Sequence, residues 1–268
     1  MELFKNLLDY GDYIKENPFY EDLGISLEDF NNLDAKVERE TYETVDASNK
    51  IPIPPEFDDL IRLHYLATSR KVTTILEFGV GKSTAVFDHA LELNKKNYSD
   101  YVKDNLRRSN LFECYSVDNN KEWIEITKSN YQSKNVHFHH SACVMSTFNS
   151  RICTLYENLP NICPDLIYID APDQFSPIGD VRGISTNHPD RLPMAADVLT
   201  IEHFLLPGTL IVLDGRTANA RFLQTNFQRD WVYHHLPEYD QHFFELKEAP
   251  LGIYNQKQIE FCLGKDWK

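Results

Sequence analysis

Between about residues 70 and 246 the chain alternates short apolar runs with longer stretches whose apolar positions recur at helical spacing. Runs at 73–78, 112–117, 135–139, 165–170 and 209–213 are rich in Ile, Leu, Val, Phe and Tyr. Such runs read as strands buried on both faces, and the stretches between them as helical crossovers of a mostly parallel sheet. The crossover helices are expected at 83–93, 122–131, 145–156, 193–204 and 218–228. The polar stretch 94–110 reads as a separate helical insertion before the second strand. Two further strands, at 231–235 and 242–246, form a closing antiparallel pair, with 251–254 competing for the final strand. Residues 171–192 make a long loop, and loops of that length tend to carry function.

Upstream, Leu3, Leu7, Leu8 and Tyr10, then Leu27, Phe30 and Leu33, give broken helical periodicity. Residues 1–54 therefore read as a helical extension or lid. The run Ile51-Pro52-Ile53-Pro54-Pro55 reads as an extended linker, because proline fixes φ and restricts the residue before it. A helix over 55–70, with Phe57, Leu60, Ile61, His64 and Tyr65 as its apolar stripe, opens the main domain at 55–268. The fold class is thus α/β: a doubly wound, mostly parallel seven-stranded, Rossmann-like sheet with an N-terminal helical extension.

Charge and composition narrow the function. The 268 residues carry a formal net charge of −14 and no Lys/Arg-rich block, so a phosphate backbone would be repelled and nucleic acid is excluded as substrate. The N-terminus lacks an apolar stretch of signal-peptide length, and the longest apolar runs are strand-sized, so a cytoplasmic protein without membrane contact is expected. The five cysteines include no C-x-x-C pair and read as reduced thiols beside strands and helices.

The chemistry centres on Glu77-Phe78-Gly79-Val80-Gly81-Lys82-Ser83-Thr84, at a strand-to-helix turn. Glycines there permit positive φ and close approach of a ligand, and the helix N-terminus offers free N–H groups. A phosphate-binding P-loop would need a glycine where Leu76 stands. A dinucleotide fingerprint would need a small third residue where Thr84 stands, and its acid would lie nearer than Asp118.

The run Ile-Leu-Glu-Phe-Gly-Val-Gly resembles the first motif of the class I S-adenosylmethionine (SAM)-dependent methyltransferases. Further likenesses follow in order: Val117-Asp118-Asn119 after the second strand, His140-Ser141-Ala142 after the third, Ile169-Asp170-Ala171-Pro172-Asp173 after the fourth, and Leu206-Pro207-Gly208 leading into the fifth. The wording of the glycine turn is most similar to small-molecule and sugar O-methyltransferases of bacterial surface polysaccharide biosynthesis. The resemblance implies that Glu77, Phe78, Gly79, Gly81, Ser83, Thr84, Asp118, Asn119, Ser141, Ala142 and Asp170 hold SAM, or its product S-adenosylhomocysteine (SAH). Within that set Asp118 would chelate the ribose hydroxyls and Ser141-Ala142 would contact the adenine.

Asp170, Asp173 and His188 are the candidates for a general base. Arg182, Arg191 and Arg216, with Asp214, are candidates for acceptor binding, since arginines clamp phosphate bidentately. The expected acceptor is a phosphorylated or nucleotide-linked sugar. Asp170, Asp214 and Asn219 would suit a hard divalent cation, but Arg216 beside them argues against one, and no metal is expected. Two alternatives remain: an NAD(P)-dependent oxidoreductase, and a non-catalytic subunit that docks a partner or a second copy through the extension.

Overall fold

Alternation along the strands decides the architecture. In the computed structural model, which describes residues 2–7, 9–26 and 57–267, seven strands form one sheet in the order β3-β2-β1-β6-β7-β9-β8. These are β1 (Thr74–Phe78), β2 (Glu113–Asp118), β3 (Val136–His140), β6 (Leu166–Ile169), β7 (Leu210–Asp214), β8 (Trp231–Leu236) and β9 (Gln241–Leu246). β1 is parallel to β2 and β6, β2 to β3, and β6 to β7, whereas β9 runs antiparallel to both β7 and β8. The doubly wound sheet and its closing pair follow the sequence expectation.

Each central strand sends successive residues into opposite cores. Leu76, Phe78, Val117, Ile167, Ile169, Ile211 and Leu213 share one cluster, and Ile75, Cys114, Leu166, Tyr168, Leu210 and Val212 the other. The second core is closed by α2 (Phe57–Ser69), α3 (Lys82–Asn105) and α7 (Ile253–Cys262), through residues such as Leu66, Phe87 and Phe261. The first is closed by α5 (Asp197–Ile201) and α6 (Thr217–Gln224), through Val198, Leu199, Ala220 and Leu223. The remaining crossover helix, α4 (Lys121–Asn130), is capped by Asn120, whose side chain accepts the Trp123 N–H.

Four sequence expectations are corrected. Residues 145–156 are not a helix: β4 (Cys143–Phe148) and β5 (Arg151–Tyr156) form an antiparallel hairpin. Its turn residues Asn149 and Ser150 both have positive φ, 47° and 64°, as a two-residue hairpin turn of the primed type requires. The β-branched residues Val144, Thr147, Ile152 and Thr154 favour strand, but their spacing does not alternate and leaves the helical reading open. Residues 83–110 do not split into two helices, because α3 runs unbroken from Lys82 to Asn105. Asn94, the polar break in its apolar pattern, is 2% exposed and donates to the carbonyls of Ala67 and Val72, both at 3.0 Å. The helix expected over 193–204 is only α5 followed by a 3₁₀ turn, Glu202–Phe204. Finally, 251–254 begins α7 rather than a strand, and that helix hides its amphipathy by burying Asn255 along with Ile259 and Phe261.

At the edge of the sheet where the parallel strands begin, Arg108 and Asp165 form a buried ion pair at 2.9 Å. Asp165 Oδ2 also accepts the Thr73 N–H at 2.8 Å and hydroxyl at 2.6 Å, while Arg108 donates to the Cys163 carbonyl at 2.7 Å. The described part of the extension docks on the main domain. Ile14 and Phe19, from and just after α1 (Tyr10–Glu16), pack with Phe57, Leu60 and Ile61 of α2 and Val86 of α3. Leu8, Leu27, Phe30, Leu33 and the proline linker lie outside the described residues. All five cysteines are free thiols. Among the described residues no helix is long and apolar enough to cross a membrane.

Candidate active site

The carboxyl ends of β1, β2, β6 and β7 converge where the strand order reverses, between β1 and β6. Open α/β sheets bind ligands at such a point. Gly79 turns the chain there with φ 103°, and a Cβ on it would sit 3.3 Å from the Asp170 backbone and the Ala171 side chain. The glycine is required by the close approach of the β6 end. Around Gly81, by contrast, a Cβ would meet nothing within 4 Å, so space opens in front of the α3 N-terminus.

Beneath this turn lies Glu77, fully buried at 0% exposure. Its carboxylate accepts the hydroxyls of Ser83 at 2.6 Å, Thr84 at 2.7 Å and Ser116 at 2.5 Å. Burial lifts its pKa from 4.5 to about 7, against the pull of those three hydroxyls. Thr84 also accepts the Gly81 N–H at 3.1 Å. Glu77, Ser83 and Thr84 thus act as the frame of the turn. Phe78, 2% exposed, stacks on Tyr156 in the core and shapes the turn only by packing.

Asp118 closes the other side. Its oxygens accept backbone N–H groups, Oδ2 from Val80 at 2.9 Å and Oδ1 from Asn120 at 2.7 Å. A carboxylate offers about four lone-pair sites, so each oxygen keeps acceptor capacity for a hydroxyl. Burial raises the Asp118 pKa and the three backbone N–H groups of Asn120, Val80 and Asn119 counter it. Trp123 of α4 donates its indole N–H to the Val80 carbonyl and so clamps the turn from outside. Ser141 is 3% exposed and its hydroxyl accepts the Asn158 N–H at 2.9 Å, while Ala142 accepts the Glu157 N–H through its carbonyl. Both residues fix the start of the hairpin beside Asp118, whose carbonyl takes the Ser141 N–H.

Beyond β6, Asp170 keeps its side chain 57% exposed at the mouth of this crevice. Arg216, at the start of α6, bonds it: Nε lies 3.5 Å from Asp170 Oδ1, Nη1 donates to the Pro172 carbonyl at 2.9 Å, and Nη2 to the Asp170 carbonyl. The peptide bond Ala171–Pro172 within this corner is cis. Asp214 accepts the Tyr168 hydroxyl at 3.2 Å.

The other base candidates are engaged in local turns. Asp173 accepts the Phe175 N–H at 2.6 Å, an Asx-type turn. His188 Nδ1 accepts the Asp190 N–H at 3.1 Å, which places the proton of a neutral ring on Nε2 and leaves no free base nitrogen. Of the acceptor candidates, Arg191 donates to the Ser185 carbonyl at 2.8 Å, Arg182 is exposed with φ 59°, and Arg216 is committed to the Asp170 corner. Of the three, Arg216 is drawn to the carbonyls of Asp170 and Pro172, while Arg191 spends Nη1 alone on Ser185.

Around Asp170, Asp214 and Asn219 the nearest described cation is a side chain, Arg216, whose Nε lies 3.5 Å from Asp170 Oδ1. Asn219 is 1% exposed and donates to the Ala195 carbonyl, and Arg216 occupies the space near Asp170. The cluster His235, Asp240 and His242 brings three potential ligand atoms within 4.8 Å of one another. Its two rings are stacked at 4.1 Å, and both nitrogens of His242 already face hydroxyls, of Thr217 at 3.0 Å and Tyr233 at 2.9 Å.

Sequence spacing hides Tyr156, because 145–156 reads there as a helix and the structure makes this residue the end of β5. Its hydroxyl is buried with no partner among the described residues, as are Thr154 Oγ1, Asp197 Oδ2 and Asn219 Oδ1. The charges of Asp118, Asp197 and Arg216 all act on it, which places Tyr156 between the glycine turn and α5. A buried polar atom left unpaired costs free energy, so these four mark where water or a ligand belongs.

No protein-family model matches this chain, and neither does any curated protein sequence. Among solved structures it is similar to the SAH-bound Podospora anserina methyltransferase PaMTH1, at 13% identity and TM-score 0.48, over 86% of this chain and 88% of that one. It is also similar to an O-methyltransferase from Bacillus cereus in complex with SAH, at 13% identity and TM-score 0.41, over 90% of this chain and 100% of that one. A third likeness is to TomG of Streptomyces achromogenes, an O-methyltransferase of tomaymycin synthesis solved with SAM, at 12% identity and TM-score 0.40, over 90% and 100%. Identities and TM-scores of this size do not assign an activity to this chain.

Proposed function

We propose that this protein is a SAM-dependent methyltransferase that delivers a methyl group to an oxygen of a small acceptor. The observation that carries the reading is Asp118, a buried carboxylate that ties the glycine turn to β2 and still has lone pairs for a vicinal diol. The open space before Gly81, at the N-terminus of a 24-residue helix, fits the carboxylate end of an amino acid. Glu77 and Asp170 supply the negative field expected near an ammonium and a sulfonium. The residues present therefore fit SAM.

When bound, SAM supplies an electrophilic methyl group on a sulfonium that takes the C–S electron pair as SAH. The remaining work belongs to side chains. Asp118 orients the ribose. Arg216 holds the 170–172 corner so that the Asp170 carboxylate faces the arriving hydroxyl and accepts its proton. The phosphorylated or nucleotide-linked sugar expected from sequence would have to be held without Arg216, and the acceptor class is taken up below.

A nicotinamide cofactor fits less well, because the third position of its fingerprint is Thr84, buried and bonded to Glu77. Calorimetric titration with SAM and SAH tests the proposal. Micromolar binding that weakens in Asp118→Ala is expected; binding of NAD(H) or NADP(H) without SAM would overturn it.

A further inference from the structure

The hairpin β4–β5 meets the turn above through Tyr156, and with the loop after Asp170 it lines a cleft of 370 Å³. That size falls within the range of small-molecule pockets. Met145, Ile152 and Cys153 of the hairpin form one wall, and Ile184, Leu192 and Met194 of the loop the other. Ile184 and Leu192 remain 39% and 55% exposed. Exposed apolar side chains gathered at one concavity mark a binding surface for an apolar partner.

The cleft opens beside the chemistry. Ala218 lines it and stands two residues after Arg216, the side chain that holds Asp170. The loop forming its second wall is the same loop that leaves Asp170 through Pro172. Its sulfur atoms, from Met145, Met194 and Cys153, are polarizable and pack well on aromatic rings. At its rim Arg191 is tied to the Ser185 carbonyl by Nη1 alone, and the other donors of its guanidinium fork remain for an anion. Asp190 also lines the cleft, but its carboxylate is 87% exposed and lies 3.9 Å from His188 Nδ1, so Arg191 is left to favour an anionic end group.

We propose that this cleft is the acceptor pocket, and that it takes a hydroxylated aromatic acid of one or two rings, the ring between the methionines and the carboxylate at Arg191. The proposal rests on the methyltransferase reading for its chemistry, though not for its binding. A sugar phosphate would leave most of its hydroxyls facing Met, Ile and Leu side chains without partners, an unfavourable burial for each.

The test is a fluorescence titration of the full chain with 6-hydroxy-2-naphthoate and with 2-naphthol, in competition with glucose 1-phosphate. Three proteins are compared: the wild type, Ala218→Phe, which fills the cleft, and Arg191→Gln, which removes the cation. Saturable binding of the naphthoate is expected, weakened at least about tenfold by Ala218→Phe and about fivefold by Arg191→Gln. 2-Naphthol should respond to Ala218→Phe and not to Arg191→Gln. An unchanged thermal midpoint and unchanged SAM affinity show that each variant is folded. Displacement of the naphthoate by glucose 1-phosphate, or naphthoate binding indifferent to both substitutions, would overturn the pocket assignment. Naphthoate binding with the expected pattern, but no SAM binding, would leave the pocket standing and remove the methyltransferase reading.

Discussion

Two neighbouring regions at the carboxyl edge of the sheet are built on opposite principles. The glycine turn is polar and closed: Glu77 and Asp118 each have both oxygens hydrogen-bonded, to hydroxyls in one case and backbone N–H groups in the other. The hairpin cleft is apolar and open, walled by flexible thioethers and a loop, with unpaired polar atoms behind it at Thr154, Asp197 and Asn219. A satisfied polar network is rigid and specifies one geometry, whereas a sulfur-rich apolar wall adapts to the shape it meets. The difference teaches that one region is built for a single fixed geometry and the other for fit by shape, with Asp190 and Arg191 both at its rim.

The sharpest way to break that contrast is Asp118→Ala. It removes the diol acceptor and orphans the Val80 and Asn120 N–H groups, so SAM affinity should fall about 100-fold and the fold lose about 1–3 kcal/mol. Calorimetry and thermal unfolding read the two effects separately. The same substitution should leave 6-hydroxy-2-naphthoate binding within about twofold, because Asp118 does not line the cleft.

Next comes pH. Burial lifts Asp197, at the hairpin side, from 3.8 to about 7, as it lifts Glu77 from 4.5 to about 7. In both cases the unfolded chain loses its proton first, so stability falls as pH rises from about 4 to about 7 and is fully retained below that window. The two acids differ in their partners. Asp197 Oδ2 has none among the described residues, so Asp197→Asn should stabilise the protein at pH 8 on the order of 2 kcal/mol and leave it unchanged at pH 4. Glu77→Gln should bring no such gain, because its amide N–H₂ would face hydroxyls that need an acceptor. Unfolding midpoints at the two pH values decide this, and equal responses would erase the contrast.

Arg216→Ala probes the seam between the regions. Freed from Arg216, the 170–172 corner should lose its position, lowering kcat about tenfold with SAM affinity nearly unchanged. The smallest effect belongs to the hairpin tip. Ser150→Gly converts Asn149-Ser150 into the residue pair that this turn favours and should stabilise by about 0.5 kcal/mol, read as a small rise in thermal midpoint.

The polar region was legible in the sequence and the apolar one was not. Two glycines at a strand end and an acid after the next strand are local signals, and the chain places them where the strand order predicts. The hairpin was hidden because Cys143 to Tyr156 mixes apolar and small polar residues at spacings that satisfy both helix and strand. Only the positive φ at Asn149 and Ser150 separates them, and neither residue announces it as glycine would. Long-range commitments were equally invisible: Arg216 reads as a free cation until Asp170 and Pro172 are brought to it from 44 to 46 residues away. Asn94 reads as a break until Ala67 and Val72 offer it carbonyls.

The Arg108–Asp165 pair at the far edge of the sheet has a practical consequence. With the strand beginnings fastened there by a charge network at the edge opposite the carboxyl ends, the molecule separates its fastening from its proposed chemistry along a single strand length. Hairpin, loop and rim residues can then be exchanged in bulk, in a laboratory library or over generations, while the barrier to unfolding stays anchored elsewhere. Such a scaffold is suited to acquiring new acceptors one cleft residue at a time.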